Sequence, residues 1–372
     1  MRRRVMIAAV LVLLGTLPAA ARAADPGRWV QTSLSEIPIE YYQGIAPDTA
    51  AGRLLFDGVY VGGYRTDLEL REQARNANLL PLAVTASEGF NHLGDPTFTG
   101  GRLILPLECY TPGAPNAGNT CGRGAFGVAD ANLTWLGRTL LDPADVPKAM
   151  WVEASPDGQL LWTSAGQDLL AYRTSDVQPA AGDVPIRPVR RLPGAVPPSG
   201  ITGAAFFGGR LLLAGQGTGP FQVWSVDPAT GARRLEIERT WAGESEGLGV
   251  VDALGGWLHW MIQPLDPQGR TPTFGTGHGE LVSFVPRAAA RLRLQVRTGA
   301  RGRLIVTASL RFAGSAHPVA GARVRAGGAS ARTDARGRAV LRVGARRSSP
   351  LRVTATKPPL RRGRLVMRAG RG

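Results

Sequence analysis

Five times along this 372-residue chain a small residue sits between a polar residue and an apolar one, as Gln43-Gly44-Ile45, Glu88-Gly89-Phe90, Lys148-Ala149-Met150, Ser199-Gly200-Ile201 and Glu246-Gly247-Leu248. The central positions are 45, 60, 51 and 47 residues apart. Self-similarity at such a period marks a stacked or radial repeat, and about 40 to 50 residues is the length of one four-stranded β-propeller blade. Each opening is followed by a tight turn, placed at Asp57-Gly58, Gly100-Gly101, Asp157-Gly158, Gly208-Gly209 and Gly255-Gly256. Plain apolar strands follow three of these turns, at 103–105, 160–162 and 211–213. Glycine pairs between apolar or alternating runs are hairpin signals. Third strands are expected at 126–129, 169–172, 221–226 and 280–285, and outer strands at 68–71, 134–141, 189–192 and 235–240.

The last repeat runs out at Pro286 without an outer strand, whereas residues 29–32 form an extended segment with no repeat of their own. The N-terminal strand is therefore expected to complete the final blade and close the ring, which removes exposed sheet edges. Five blades fit best; six would need an opening hidden in the 60-residue interval. That interval holds an insertion, 108–124, and the last repeat holds another, 264–279. Both follow a second strand, so both are expected on one face, where long loops commonly bind ligands. From about Arg291 the pattern changes to seven short strands at 292–297, 304–310, 323–326, 329–333, 339–343, 351–355 and 365–368, with a turn at 334–337. This reads as a small β-sandwich. The expected division is a signal peptide at 1–23, a propeller at 24–287 and a basic sandwich at 288–372.

The start has the three parts of an export signal: Arg2-Arg3-Arg4, an apolar run at 5–17 too short to span a bilayer, and Ala21-Arg22-Ala23 before the cleavage point. No later segment is long and apolar enough to cross a membrane, so the expectation is a secreted chain cleaved after Ala23. Its two cysteines, Cys109 and Cys121, lie in one Gly/Pro/Asn-rich loop and are expected to form a disulfide in an oxidising compartment. The net charge of +16 hides an asymmetry. Residues 287–372 carry 22 Lys and Arg against the single acid Asp334, whereas 24–286 carry 18 against 27 acids. The basic tail suits an anionic surface such as a cell-wall polymer, or is merely a solvated surface. Nucleic acid is disfavoured by the export signal and the lack of interleaved aromatics.

In a propeller the inner strands line the axis, so residues at their starts converge. Gln43, Glu88, Lys148, Ser199 and Glu246, with His92 and Asp95 further along the second inner strand, are the candidate channel ligands. Glycine or alanine at each opening lets crowded backbones approach. Carboxylate, amide and hydroxyl oxygens suit Ca²⁺, with Glu88 and Glu246 as the candidate metal ligands. Ser199, Glu88 and Glu246 resemble the ring of the five-bladed calcium-dependent nucleotidases (apyrases), which implies a central calcium. Lys148 departs from that pattern, because an ammonium replaces a cation electrostatically. The alternative is an ion-paired plug in which Lys148 neutralises the two glutamates. A glycosidase would need carboxylates facing each other across a sugar, for which Glu88, Asp95 and Glu246 are available.

Other motifs are weaker. Gly243-Glu-Ser-Glu-Gly247 matches the nucleophile-elbow pattern, but a strand follows it where a helix is needed. The run 215–219 lacks the lysine of a phosphate loop. His259 reads as a strand residue, and His278 lies on an insertion where it could meet a ligand. The Glu246-Gly247-Leu248 opening also resembles phytase-like and lactonase-like propellers. The runs 318–325, 331–341 and 353–357 resemble bacterial Ig-like or carboxypeptidase-regulatory-like modules, which implies a spacer or adhesive role for the tail. The functional expectation is recognition or scaffolding, with a small molecule, glycan or cell-wall polymer bound at the channel or face. The alternative is a hydrolase of phosphate esters or glycans, calcium-dependent if the ring holds the ion.

Overall fold

In a computed structural model, the described residues are 28–58, 61–111, 119–179, 183–216, 219–264, 277–299, 303–312, 315–343, 350–358, 360 and 362–367. The expected signal peptide and most of the second insertion lie outside them. The fold is all-β and propeller-like, with seven sheets among the described residues.

Five sheets occupy the first part of the chain. Sheet I contains Gly44–Asp48, Arg53–Asp57, Gly63–Asp67 and Glu72–Asn76. In sheet II, His92–Leu93 and Thr97–Thr99 both pair with Arg102–Glu108, which is followed by Ala125–Asp130 and Trp135–Leu140. Sheet III is Glu153–Ala154, Leu160–Ala165, Asp168–Arg173 and Arg190–Leu192. Sheet IV is Gly200–Phe207, Arg210–Gln216, Phe221–Val226 and Arg233–Arg239. Sheet V is Glu244–Ala253, Gly256–Gln263 and His278–Pro286, and its fourth strand is the N-terminal Trp29–Pro38, paired with His278–Pro286 from Trp29↔Pro286 to Pro38↔His278.

Neighbouring sheets bury one another. Leu211, Leu212 and Leu213 are all buried, as expected of a strand covered on both faces. Leu212 packs with Trp260 and Phe284 of sheet V, whereas Leu211 and Leu213 pack with Trp162 and Leu169 of sheet III. Ile104 likewise faces Leu161 and Leu170 of sheet III, while Leu103 and Leu105 face Leu55 and Ala46 of sheet I. A further core joins Leu54, Phe56 and Ile45 of sheet I to Val251, Met261 and Leu281 of sheet V. Each of the five sheets thus shares a core with the next, and the fifth with the first.

The tail forms two more sheets: Arg293–Gly299, Arg303–Phe312, Ser315–Pro318 and Arg338–Arg342 (sheet VI), and Ala329–Arg332, Arg323–Ala326, Leu351–Thr356 and Gly363–Met367 (sheet VII). Strict alternation lets Leu304, Val306 and Ala308 meet Val324, Ala326, Val353 and Ala355 in one core, which also takes in Val30 and Val285 of sheet V. His317 Nε2 lies 3.1 Å from Asp252 Oδ1 on sheet V. Cys109 and Cys121 are joined in a disulfide. Among the described residues no helix is long and apolar enough to cross a membrane.

Several local expectations are corrected. The first hairpin turns between Asp48 and Arg53, and Asp57-Gly58 follows the second strand. Residues 68–71 form the turn before Glu72–Asn76, with Leu70 at φ 65°. The second opening is not on a strand: Glu88 ends a helix, Leu82–Glu88, and Gly89 closes it at φ 83°, donating its N–H to the Thr85 carbonyl. Gly208-Gly209 does form the expected hairpin, with φ of 58° and 76°, the left-handed pair such a two-residue turn requires.

Candidate functional site on the axis of the five sheets

The inner strands of sheets I, III, IV and V converge on one residue of sheet II, Asp95. It sits between His92–Leu93 and Thr97–Thr99 and is fully buried. Its main chain runs parallel to sheet III, donating from N to Met150 O at 3.0 Å and accepting at O from Val152 N at 2.9 Å. Its carboxyl serves the other three. Oδ1 accepts from Ile45 N at 3.0 Å, and Oδ2 accepts from Ala204 N at 2.9 Å and Leu248 N at 3.2 Å. Inner strands leave N–H groups facing the axis, and a buried donor without a partner is costly. One carboxyl satisfies three of them. Burial pushes the Asp95 carboxyl well above the usual range, opposed by those three N–H groups. The approach requires glycine at Gly247, where a Cβ would stand 2.5 Å from Asp95 Oδ1 and 2.8 Å from Gly44 Cα. The crowded small residues in sheets II and IV are Gly94 and Gly203, rather than the expected Gly89 and Gly200.

Polar side chains gather at both ends of the inner strands. On the side where inner strands begin, Gln43 Nε2 donates to Glu246 Oε2 at 3.0 Å, and both residues are buried. Asp57 is fully buried beside Gly44, and neither carboxyl oxygen has a hydrogen-bond partner among the described residues. Burial first, and then neighbouring carboxyls, push both Asp57 and Glu246 well above the ordinary carboxyl range. Nearer the mouth, His92 Nδ1 lies 2.7 Å from Glu108 Oε1, and Lys148 Nζ lies 3.0 Å from Glu108 Oε2 and over the Tyr110 ring.

The expected ring is therefore only partly assembled. Gln43, Asp95 and Glu246 gather on the axis, and His92 and Lys148 meet at Glu108. Ser199 turns aside and donates to Gln222 Oε1 at 2.6 Å. Glu88 is not on the axis. Its helix carries it to the outermost strand of sheet II, where Arg138 Nε holds its carboxylate at 2.7 Å. Lys148 consequently neutralises Glu108 rather than Glu88 and Glu246. The calcium expectation does not fit these residues: Glu88 and Glu246 share no site, and among the described residues no group of three or more His, Cys, Asp or Glu is arranged to hold a metal ion. Ser245, the serine of the elbow-like motif, is buried on a strand and accepts from Trp260 Nε1 at 3.0 Å. His259 is buried between Ser283 Oγ and Val251 O, and burial lowers it to about 4. His278 is exposed, with Nε2 3.7 Å from Glu36 Oε1.

On the side where inner strands end there is a cavity of about 320 Å³, lined by residues from the inner strands of all five sheets. Glu153 is its one ionisable lining residue among those described. Glu153 Oε1 accepts from Phe206 N at 3.0 Å, and burial raises its carboxyl to about 7 despite hydrogen bonds from Phe206, Thr97 and Ala154. Thr49, Thr97, Thr99 and Ser155 add hydroxyls, and Ile45, Phe206 and Val250 add apolar wall.

Asp57, Glu108 and Glu153 are the site residues that sequence reasoning missed. Glu153 lies two residues beyond Trp151, the main-chain partner of Asp95, a pairing that no pattern in the sequence marks. Asp57 and Glu108 end second strands, and no periodicity in the chain marks their ends as axial.

No family model matches the chain, and no curated protein does. Among solved structures, it is similar to a luciferin-regenerating enzyme at 12% identity, covering 68% of this chain and 95% of that one, with a TM-score of 0.43. A GH43_1 enzyme from Xanthomonas citri is 11% identical over 73% of this chain and 93% of its own, with a TM-score of 0.40. The Neurospora crassa Pan2 WD40 domain is 11% identical over 86% and 96%, with a TM-score of 0.35. At these identities and scores the likenesses carry no chemistry across.

Proposed function

We propose that this chain is an exported recognition module: a five-bladed propeller closed by its N-terminal strand, carrying an Ig-like module at its C-terminus, and binding a small polyhydroxylated or ammonium-bearing ligand in the cavity beneath Asp95. The observation that carries the reading is the cavity itself, to which all five inner strands contribute and whose lining residues Ile45 and Leu248 donate their amides to Asp95. Concave sites with apolar walls and a few convergent polar groups are where small ligands bind. Glu153 supplies a carboxyl, and the Thr and Ser hydroxyls supply donors and acceptors. Hydrolysis of a glycoside needs two carboxyls facing each other across the sugar. Among the described residues Glu153 is the one carboxyl lining the cavity, and neither Asp57 nor Glu246 lines it, so binding is favoured over turnover.

The test is a thermal-shift and calorimetric screen of sugars, polyols and small amines, on the native chain and on Thr99→Trp, which sets a bulky ring at the cavity wall. Binding that Thr99→Trp abolishes and Glu153→Gln weakens about tenfold (about 1.4 kcal/mol) is expected. Ligands that bind both variants as tightly as the native chain would remove the cavity from the account. Turnover lost in Glu153→Gln would replace recognition with hydrolysis.

A further inference from the structure

We infer that the outer face of sheet VII is a binding site for a flexible, phosphate-bearing polymer, with one phosphate seated between Arg325 and Arg352. Alternation in this sheet turns Val324, Ala326, Val353 and Ala355 inward, so Arg323, Arg325, Arg332, Arg352 and Arg364 all stand on the solvent side. Register sharpens the point. Arg323 is directly opposite Arg332, and Arg325 is opposite Thr354, two residues from Arg352. Like charges directly opposite across strands destabilise a sheet, and no acid of residues 287–372 stands on this face to offset them. Asp334, the one acid of residues 287–372, is in a turn with its Oδ1 accepting from Arg336 N and Arg338 N. A charge pattern that opposes the sheet's own stability is relieved by an anionic partner.

The face also has a shaped seat. A depression of about 480 Å³ is lined by Arg325, Arg352, Ser330, Thr354 and the Gly327-Gly328 turn. Two guanidinium forks and two hydroxyls match the oxygens of a tetrahedral phosphate, and guanidinium binds such oxygens in pairs. Arg323 and Arg332 lie opposite each other on adjacent strands, Arg364 lies opposite Thr354 on the far side of Leu351–Thr356, and together they extend the track for neighbouring charges. The described outward residues include no aromatic ring on which a base could stack. That favours a polymer recognised by its phosphates alone over a single-stranded nucleic acid.

The test uses the full chain and fluorescently labelled inorganic polyphosphate, read by anisotropy across a salt series. The native chain is expected to bind, with affinity falling steeply as salt rises. The double variant Arg325→Ser, Arg352→Ser is expected to bind at least tenfold more weakly and with a shallower salt slope. Arg293→Ser, Arg297→Ser, an equal charge change on sheet VI, should bind as the native chain does. Unchanged thermal unfolding of both pairs shows that folding is intact, and Arg325→Lys should recover only part of the affinity because it restores charge without the fork. Equal losses in the two double variants would overturn the site, since bulk charge would then explain the binding. Single-stranded DNA bound as tightly as polyphosphate would overturn the ligand class, and no binding at low salt would overturn the inference outright.

Discussion

Asp95 and His259 show how a single buried side chain sets the behaviour of this fold. His259 is held neutral at about 4 by burial, against an ordinary value of 6.5. Its folded form binds a proton less readily than its unfolded form, so its contribution is lost as pH falls from about 6.5 to 4 and is constant below that. The loss is about 3 kcal/mol. Denaturant unfolding across that window should show it in the native chain and not in His259→Gln. Asp57 has the opposite sign. Its folded carboxyl is raised, so the folded state keeps a proton that the unfolded state releases, and stability falls as pH rises above the ordinary carboxyl range. Asp57→Asn should therefore lose less stability than the native chain between pH 5 and pH 8. A native chain and variant with parallel pH profiles would show that burial does not raise the Asp57 carboxyl.

At the level of strands, the axis tolerates no extra atoms where backbones cross. Gly247→Ala places a Cβ against Asp95 and the Gly44 backbone, neither of which can withdraw, and should cost about 1 to 3 kcal/mol or more. Gly249→Ala meets only the Ile45 side chain, 3.1 Å away, and should cost visibly less in the same denaturation measurement. The repeat of small residues marks the crowded axis at Gly44 and Gly247, whereas in sheets II and IV the crowding falls on Gly94 and Gly203, outside the repeated triplets. Strand order was legible in the sequence because glycine turns and apolar runs recur at blade length. What misled was local chemistry. Ser87-Glu88-Gly89 imitates Ser245-Glu246-Gly247, but in the first a left-handed glycine ends a helix, and in the second a glycine lies within a strand. A three-residue pattern cannot separate these, so it points to Glu88 as axial and passes over Glu108, which meets His92 and Lys148.

Over the whole molecule, the N-terminal strand joins the beginning of the described chain to its fifth sheet. Trp29 enters the core between sheets IV and V, and Ile37 enters the core between sheets V and I. Removing residues 28–38 takes a wall from two cores and bares the edge of His278–Pro286. The shortened chain should unfold at a lower temperature and self-associate in light scattering; an unchanged midpoint would show that sheet V stands without it. The sheets are tied together at the centre as well as at this seam. Amide hydrogen exchange on the native chain and on Asp95→Ala measures that tie most directly. Protection at Ile45, Ala204 and Leu248, in three different sheets and far apart in sequence, should fall together when the shared carboxyl is removed. Loss confined to the neighbours of residue 95 within sheet II, with those three amides as protected as before, would contradict the claim that one buried acid joins the inner strands.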